Sequence, residues 1–195
     1  MRIVPANQAS WDDLQTVFGT RGPAHRCQCQ RYKLKPREAF HRFPADERAH
    51  RLRTQTADEP TTGLVAYLDD EPVGWCAVEP RNAYEGLVRN NRVPWEGRDE
   101  DKTDDSVWAV TCVFARAGFR RRGISYALVR AAVDHARARG ARALEGYPMV
   151  TKDVITEELH VGTEGAFATA GFTEVSRPTK RRIVMRVDFE KGTAG

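Results

Sequence analysis

Hydrophobic and polar positions change character along the chain at about Thr62. Before it the chain is polar and its clearest apolar signal has helical spacing; after it apolar residues gather in short dense runs. Residues 2–5 form a short apolar start and predict a first strand. Ser10 has the character of a helix N-cap, with Asp12 and Asp13 in the first turn. Trp11, Leu14 and Phe18 follow at i, i+3 and i+7, one stripe of a helix, and Gly19 and Gly22-Pro23 predict its end. Residues 24–60 are basic and carry His25, His41 and His50. Pro36 and Pro44 each predict the opening of a short helix, the second running from Ala45 to about Thr56.

Beyond Thr62 the runs read as strands. Gly63–Leu68 and Pro72–Glu79 flank the polar turn Asp69-Asp70-Glu71, a hairpin by its turn chemistry. Residues 80–105 form a long polar connection with Arg81, Tyr84, Arg89, Arg92, Trp95 and an acidic end; connections of this length are uncommon unless functional or mobile. Arg81, Tyr84 and Arg89 hint at an anionic or aromatic ligand, and a plain surface loop explains them equally. Ser106–Phe114 is apolar on both faces, as a central strand is. A helix is predicted over 124–139, with Ala127, Leu128, Ala131, Ala132 and His135 at helical spacing, Arg137 and Arg139 toward its C-terminus and Gly140 at the cap. Residues 143–147 make the next strand, stopped by Pro148. A short helix near 165–170 and a strand pair at 172–177 and 183–189 complete the pattern. The tail 191–195 is expected to be disordered. Together these predict one mixed α/β domain over 1–190, in which the helix at 124–139 links two central strands as a β-α-β crossover.

Composition narrows the class. A length of 195 residues suits one domain, and 41% hydrophobic with 30% charged residues suits a core with a solvated surface. No apolar run is long enough to span a membrane, and the N-terminus carries no apolar signal core, so the expected location is the cytoplasm. The net charge of +4 suits a ligand with several phosphates, suits nucleic acid, and equally describes a solvated basic surface. Acidic stretches at 99–105 and 157–158, and the lack of any recognisable module, argue against nucleic acid. Cys27 and Cys29 are spaced too closely for a C-x₂₋₄-C half-site, and Cys76 and Cys112 lie in apolar runs; no metal site is expected.

The chemistry concentrates at Arg120-Arg121-Arg122-Gly123-Ile124-Ser125, between the central strand and the long helix. Backbone N–H groups at a helix N-terminus attract an anion, Gly123 lets it approach the chain closely, and three arginines raise the local potential. No Walker lysine or G-x-G-x-x-G accompanies them. The pattern Arg120-x-x-Gly123-x-Ser125 resembles the acetyl-CoA signature [R/Q]-x-x-G-x-[G/A] of the GNAT superfamily of N-acyltransferases, with Ser125 at the usual Gly or Ala. The resemblance extends to Ala115–Phe119, where the family has V-x-P-x-[YF]. Downstream, Phe167-x-x-x-Gly171-Phe172 stands where the family has Y-x-x-x-G-F. It covers roughly Thr62 to Phe189.

This resemblance implies a twisted mixed sheet of six to seven strands flanked by helices and splayed between its two central strands. It implies acetyl-CoA as cosubstrate, with Val113, Phe114 and Ala115 pairing with the pantetheine arm and Arg120, Arg121, Arg122, Gly123, Ile124 and Ser125 wrapping the pyrophosphate. The implied reaction is direct attack of an amine on the acetyl thioester, the acceptor being a small-molecule or peptide amine and the assembly a homodimer or a single chain. A general base is expected at Glu79 or Glu145, with His160 a third candidate. The family's acid position holds Phe167, which cannot donate a proton; Tyr126 and Tyr147 are the substitutes, and the thiolate can also leave unaided. Cys112 is weighed as a nucleophile against a packed core thiol, and the packed thiol is favoured. A CoA-binding sensor without catalysis, and a nucleic-acid module using Arg120–Arg122, are the competing functions.

Overall fold

The computed structural model describes residues 1–150 and 160–189; the acidic pair at 157–158 and the tail at 191–195 lie outside them. Seven strands form one sheet in the order β1-β2-β3-β4-β5-β7-β6. They are β1 (Arg2–Pro5), β2 (Gly63–Leu68), β3 (Glu71–Pro80), β4 (Val107–Ala115), β5 (Ala143–Gly146), β6 (Thr173–Ser176) and β7 (Val184–Asp188). Every neighbouring pair is antiparallel except β4 and β5. The helices are α1 (Trp11–Phe18), α2 (Gly22–Cys27), α3 (Ala45–Ala57), α4 (Glu85–Asn90), α5 (Ile124–Ala138) and α6 (Glu164–Thr169). This is the expected mixed α/β sheet, and α5 is the predicted crossover between parallel strands.

Local chemistry sets these elements. Asp69 and Asp70 both take positive φ, 49° and 62°, the hand that a two-residue hairpin loop requires and that Asp tolerates. Ser10 caps α1 by accepting a hydrogen bond from the Asp13 N–H at 3.0 Å. Two expectations are corrected. Gly22-Pro23 opens α2 instead of only ending α1, because proline fits the first turn of a helix. Pro36 opens no helix: Arg37 after it takes φ 68°, and single 3-10 turns at Arg31–Lys33 and Phe40–Arg42 replace the helix. The 80–105 connection is also more ordered than its polarity suggests, holding α4.

One irregularity shapes the middle of the sheet. On β3, Ala77 pairs with Cys112 and Val78 pairs with Val110, so Thr111 is an extra residue on β4. This bulge inverts the alternation, so Val110 and Val113 share the face covered by α5, while Ala109, Cys112 and Phe114 share the other. The α5 face is the larger core: Ile124, Leu128, Val129 and Ala132 pack on Val110, Val113, Leu144 and Phe167. On the opposite face α1 packs Leu14, Val17 and Phe18 against Val65, Trp75 and Ala77. Beyond the bulge β4 and β5 separate. Their pairing runs only from Val107–Ala143 to Val110–Gly146, while β4 continues to Ala115 against β3 alone.

Candidate cofactor cleft and acceptor pocket

The separation of β4 from β5 opens a cleft whose far end is the N-terminus of α5. Gly123 is the N-cap of α5 with φ 73°, no side chain caps the helix, and its first turn has no acidic residue. A Cβ built at Gly123 would meet nothing within 4 Å, so the space in front of the first-turn N–H groups is open. Arg120, Arg121 and Arg122 are exposed, and among the described residues none has an ion-pair partner. Unfilled helix donors, a positive helix end and three exposed guanidiniums, that of Arg122 lying over the Phe119 ring, form a candidate anion seat. Val113, Phe114 and Ala115 form the β3-paired wall leading away from it. The chemistry of these groups fits a pyrophosphate attached to an extended arm that adds to the open side of β4.

The face opposite α5 carries the candidate acid–base groups. Glu79, Ala109, Glu145 and Arg186 lie in register across β3, β4, β5 and β7, and cross-strand partners share a face. Glu145 is fully buried and caged. Arg81 Nη1 donates to Oε2 at 3.1 Å, Arg186 Nη1 donates to Oε1 at 3.1 Å, Arg98 donates to both oxygens, and the Tyr147 hydroxyl donates at 3.0 Å. Burial alone would raise the Glu145 carboxyl, but hydrogen bonds from Arg98 and the charges of Arg98 and Arg81 hold it below its ordinary value. It is an anion that seats cations, with little capacity to take a proton. Tyr147 is pushed well above the ordinary phenol range by burial and by the Glu145 charge, so it stays a proton donor. Glu79 is less crowded: Lys33 and the Thr62 hydroxyl both donate to its Oε1.

A small pocket lies at the mouth of the cleft on this face, with a volume of about 80 Å³. Leu87, Val93 and Pro94 form its apolar walls, and Tyr32, Tyr147 and Arg182 bring polar groups to it. Tyr147 directly follows the last paired residue of β5. Tyr32 approaches from the turn before Leu34; burial raises its phenol, with Arg182 lowering and Cys112 raising it in turn.

The remaining predicted residues separate. Phe167 is fully buried, packed edge-on against Phe172 at 5.0 Å between centroids, on the α5 face of the sheet. Tyr126 is exposed on α5 near Gly165, away from the pocket. His160 sits on the turn before α6, half-buried. Arg81, offered as a ligand-facing residue, is instead fully buried in the Glu145 cage, Tyr84 is buried beside Leu87, and Arg89 pairs at 3.6 Å with Glu85 on the surface. Cys112 is buried in the cluster that holds α1, and Cys29 beside it accepts a hydrogen bond from Trp75 Nε1 at 3.0 Å. Among the described residues no three His, Cys, Asp or Glu side chains converge as a metal site, and no helix is long and apolar enough to cross a membrane. Sequence reasoning missed Tyr32, Lys33 and Arg182. They come from segments remote from the cleft, and no local pattern marks them.

The model of the acetyltransferase (GNAT) family matches residues 28–150. No curated protein matches the chain. Solved structures do. A ribosomal-protein-alanine N-acetyltransferase from Brucella melitensis superposes with a TM-score of 0.56 at 14% identity, over 97% of this chain and 100% of its own. An N-acetyltransferase from Staphylococcus aureus Mu50 gives 0.55 at 13%, over 96% and 97%. The PaiA N-acetyltransferase of Thermoplasma acidophilum, solved in complex with coenzyme A, gives 0.54 at 11%, over 96% and 98%. At these identities the likeness is one of fold.

Proposed function

We propose, since the chain belongs to the acetyltransferase (GNAT) family, that it transfers the acetyl group of acetyl-CoA to a primary amine by direct attack in a ternary complex. One observation carries the cofactor half of this reading: an uncapped α5 N-terminus behind an open Gly123, at the end of a strand that has lost its β5 partner. Arg120–Ser125 hold the pyrophosphate, and the backbone of Val113, Phe114 and Ala115 takes the pantetheine arm as an added strand. A β4 N–H beyond the bulge is available to the developing oxyanion.

The acid–base roles divide by environment. Glu79 is the proton acceptor, since Glu145 is held ionised by its guanidinium cage. Tyr147, kept protonated at the pocket, is the proton donor to the departing thiolate, giving up its hydrogen bond to Glu145 as it does so. Glu145 is a positioning residue that orients the Tyr147 hydroxyl. The buried Phe167 favours a second reading, a CoA-binding module with no turnover, because the family's acid position offers only a hydrocarbon there.

Thermal stabilisation by acetyl-CoA, followed by thiol release with a panel of amines, separates these. Stabilisation with turnover supports transfer. Stabilisation without turnover supports the sensor, and no stabilisation overturns both.

A further inference from the structure

The charges around the small pocket are asymmetric. Among the described residues, Arg182 is the one charged side chain that lines it. It is half-buried and, among the described residues, has no ion-pair partner. The nearest carboxylates on this face are already committed, Glu79 to Lys33 and Glu145 to Arg81, Arg98 and Arg186. Among the described residues the pocket therefore presents a guanidinium, two phenols, the Asn91 amide and apolar walls, and no carboxylate.

We infer that this pocket selects a small amine that also carries a carboxylate, bound through Arg182. The inference rests on the acetyl-transfer reading for the role of the amine, but the charge argument stands apart from it. A simple alkylammonium entering here would meet a like charge and no counter-ion, which costs binding energy in surroundings as apolar as Leu87, Val93 and Pro94. An aminocarboxylate reverses the sign. A guanidinium recognises a carboxylate through two parallel hydrogen bonds, and weak solvation in the pocket strengthens them. With its carboxylate on Arg182, the other end of the molecule points past Tyr32 and Tyr147 toward the cleft where β4 and β5 part. While its own proton is donated to Glu145, the Tyr147 oxygen accepts a hydrogen bond from the amine. The volume of about 80 Å³ limits the seated portion to a few heavy atoms, which suits the head of an amino acid and not a bulky oxoanion.

The test is a matched panel on the full-length protein with acetyl-CoA: an amino acid, its carboxamide, its decarboxylated amine and its phosphonate analogue. The expected result is kcat/KM at least about tenfold higher for the amino acid than for the carboxamide or decarboxylated amine, the range expected for loss of a charge-assisted hydrogen bond. Arg182→Gln should bring that ratio close to one, and Arg182→Lys should leave it intermediate. Equal rates across the wild-type panel, or an equal loss for every member in Arg182→Gln, would overturn the inference. A phosphonate preferred to the carboxylate would overturn the choice of anion. If no amine is acetylated, ligand-detected NMR with coenzyme A present reads binding directly. Amino-acid binding weakened by Arg182→Gln then keeps the inference and discards acetyl transfer, whereas no binding discards the inference. The wild-type comparison decides even if the variants fold poorly.

Discussion

The ring of Phe167 occupies the space that a side chain at Gly146 would need. A Cβ built on Gly146 would lie 2.6 Å from both Cδ1 and Cζ of that ring, and nearer still to Cε1. Gly146 is the last residue of β5 that pairs with β4, so the contact sits where the cleft begins. Gly146→Ala is therefore expected to cost about 1–3 kcal/mol through overpacking, read as a lower urea midpoint. Combining it with Phe167→Leu, which withdraws the ring, should recover part of that loss. Additive losses would mean the two positions do not press on one another.

The two halves of the site were unequally legible in the sequence, and this contact shows the reason. The cofactor half lies in one continuous stretch, 107–138, where strand, loop and helix follow in order and each leaves a local mark: an apolar run, a glycine at the cap, a 3.6-residue stripe. The hairpin was equally local. The acceptor half is assembled from β5, the turn carrying Tyr32, the connection after α4 and the link between β6 and β7, which only tertiary packing brings together. Glu145 reads as a candidate base because it lies in the strand that forms one wall of the splay, where burial alone would raise its pKa. Its partners Arg81, Arg98 and Arg186 lie 41 to 64 positions away. The bulge at Thr111 was invisible for a related reason: β4 is apolar on both faces, so an inverted alternation leaves no trace in its composition.

The Glu145 cage predicts a large stability effect. Glu145→Gln keeps the shape but removes the buried anion of the cluster, leaving three guanidiniums, one of them, on Arg81, fully buried, to share the more exposed Glu100. Breaking a buried ion pair from one side typically costs about 3–5 kcal/mol. The expected outcome is an unfolding free energy lowered by up to that amount, read as a lower chemical-denaturation midpoint. Glu79→Gln should instead lower kcat by about a hundredfold or more, the usual contribution of a general base. If Glu145→Gln folds as stably as the wild type and loses only turnover, the assignment of Glu145 as a positioning anion is wrong.

Stability should also fall on the acid side through the closed end of the cleft. Asp104 accepts hydrogen bonds from the Ser106 N–H at 2.9 Å and hydroxyl at 2.5 Å, and from Arg142 Nε and Nη2 at 3.0 and 2.6 Å. This joins the start of β4 to the start of β5. The Ser106 hydroxyl, then Arg142, pull the carboxyl from 3.8 down to about 2. A carboxyl depressed in the folded state favours folding above its unfolded pKa, and that contribution is lost as pH falls from about 4 toward 2. Glu145, also lowered, acts in the same direction. Because Asp104 is solvent-screened, its share is about 1 kcal/mol or less. Urea unfolding between pH 2 and pH 6, about the span of these transitions, should show a shallower acid limb in Asp104→Asn than in the wild type. Identical limbs would remove Asp104 from the account.

The α5 N-terminus allows a prediction in which stability and binding move in opposite directions. Ser125 lies in the first turn of α5, half-buried, and that turn contains no acidic residue. A carboxylate placed there interacts favourably with the helix dipole, typically by about 0.3–1 kcal/mol. Ser125→Glu should therefore leave the ligand-free protein as stable as the wild type or slightly more so. The same carboxylate would stand in the anion seat, compete for the first-turn N–H groups and repel a pyrophosphate, so affinity for coenzyme A should fall by about tenfold or more, the effect of about 1.4 kcal/mol. Thermal melts without ligand and calorimetric titration with coenzyme A measure the two effects separately. A variant that binds coenzyme A as tightly as the wild type would show that the pyrophosphate is held elsewhere. A parallel loss of stability and affinity would point to a disturbed fold instead of a blocked seat, and Ser125→Gln, which has nearly the same shape without the charge, would then distinguish bulk from repulsion.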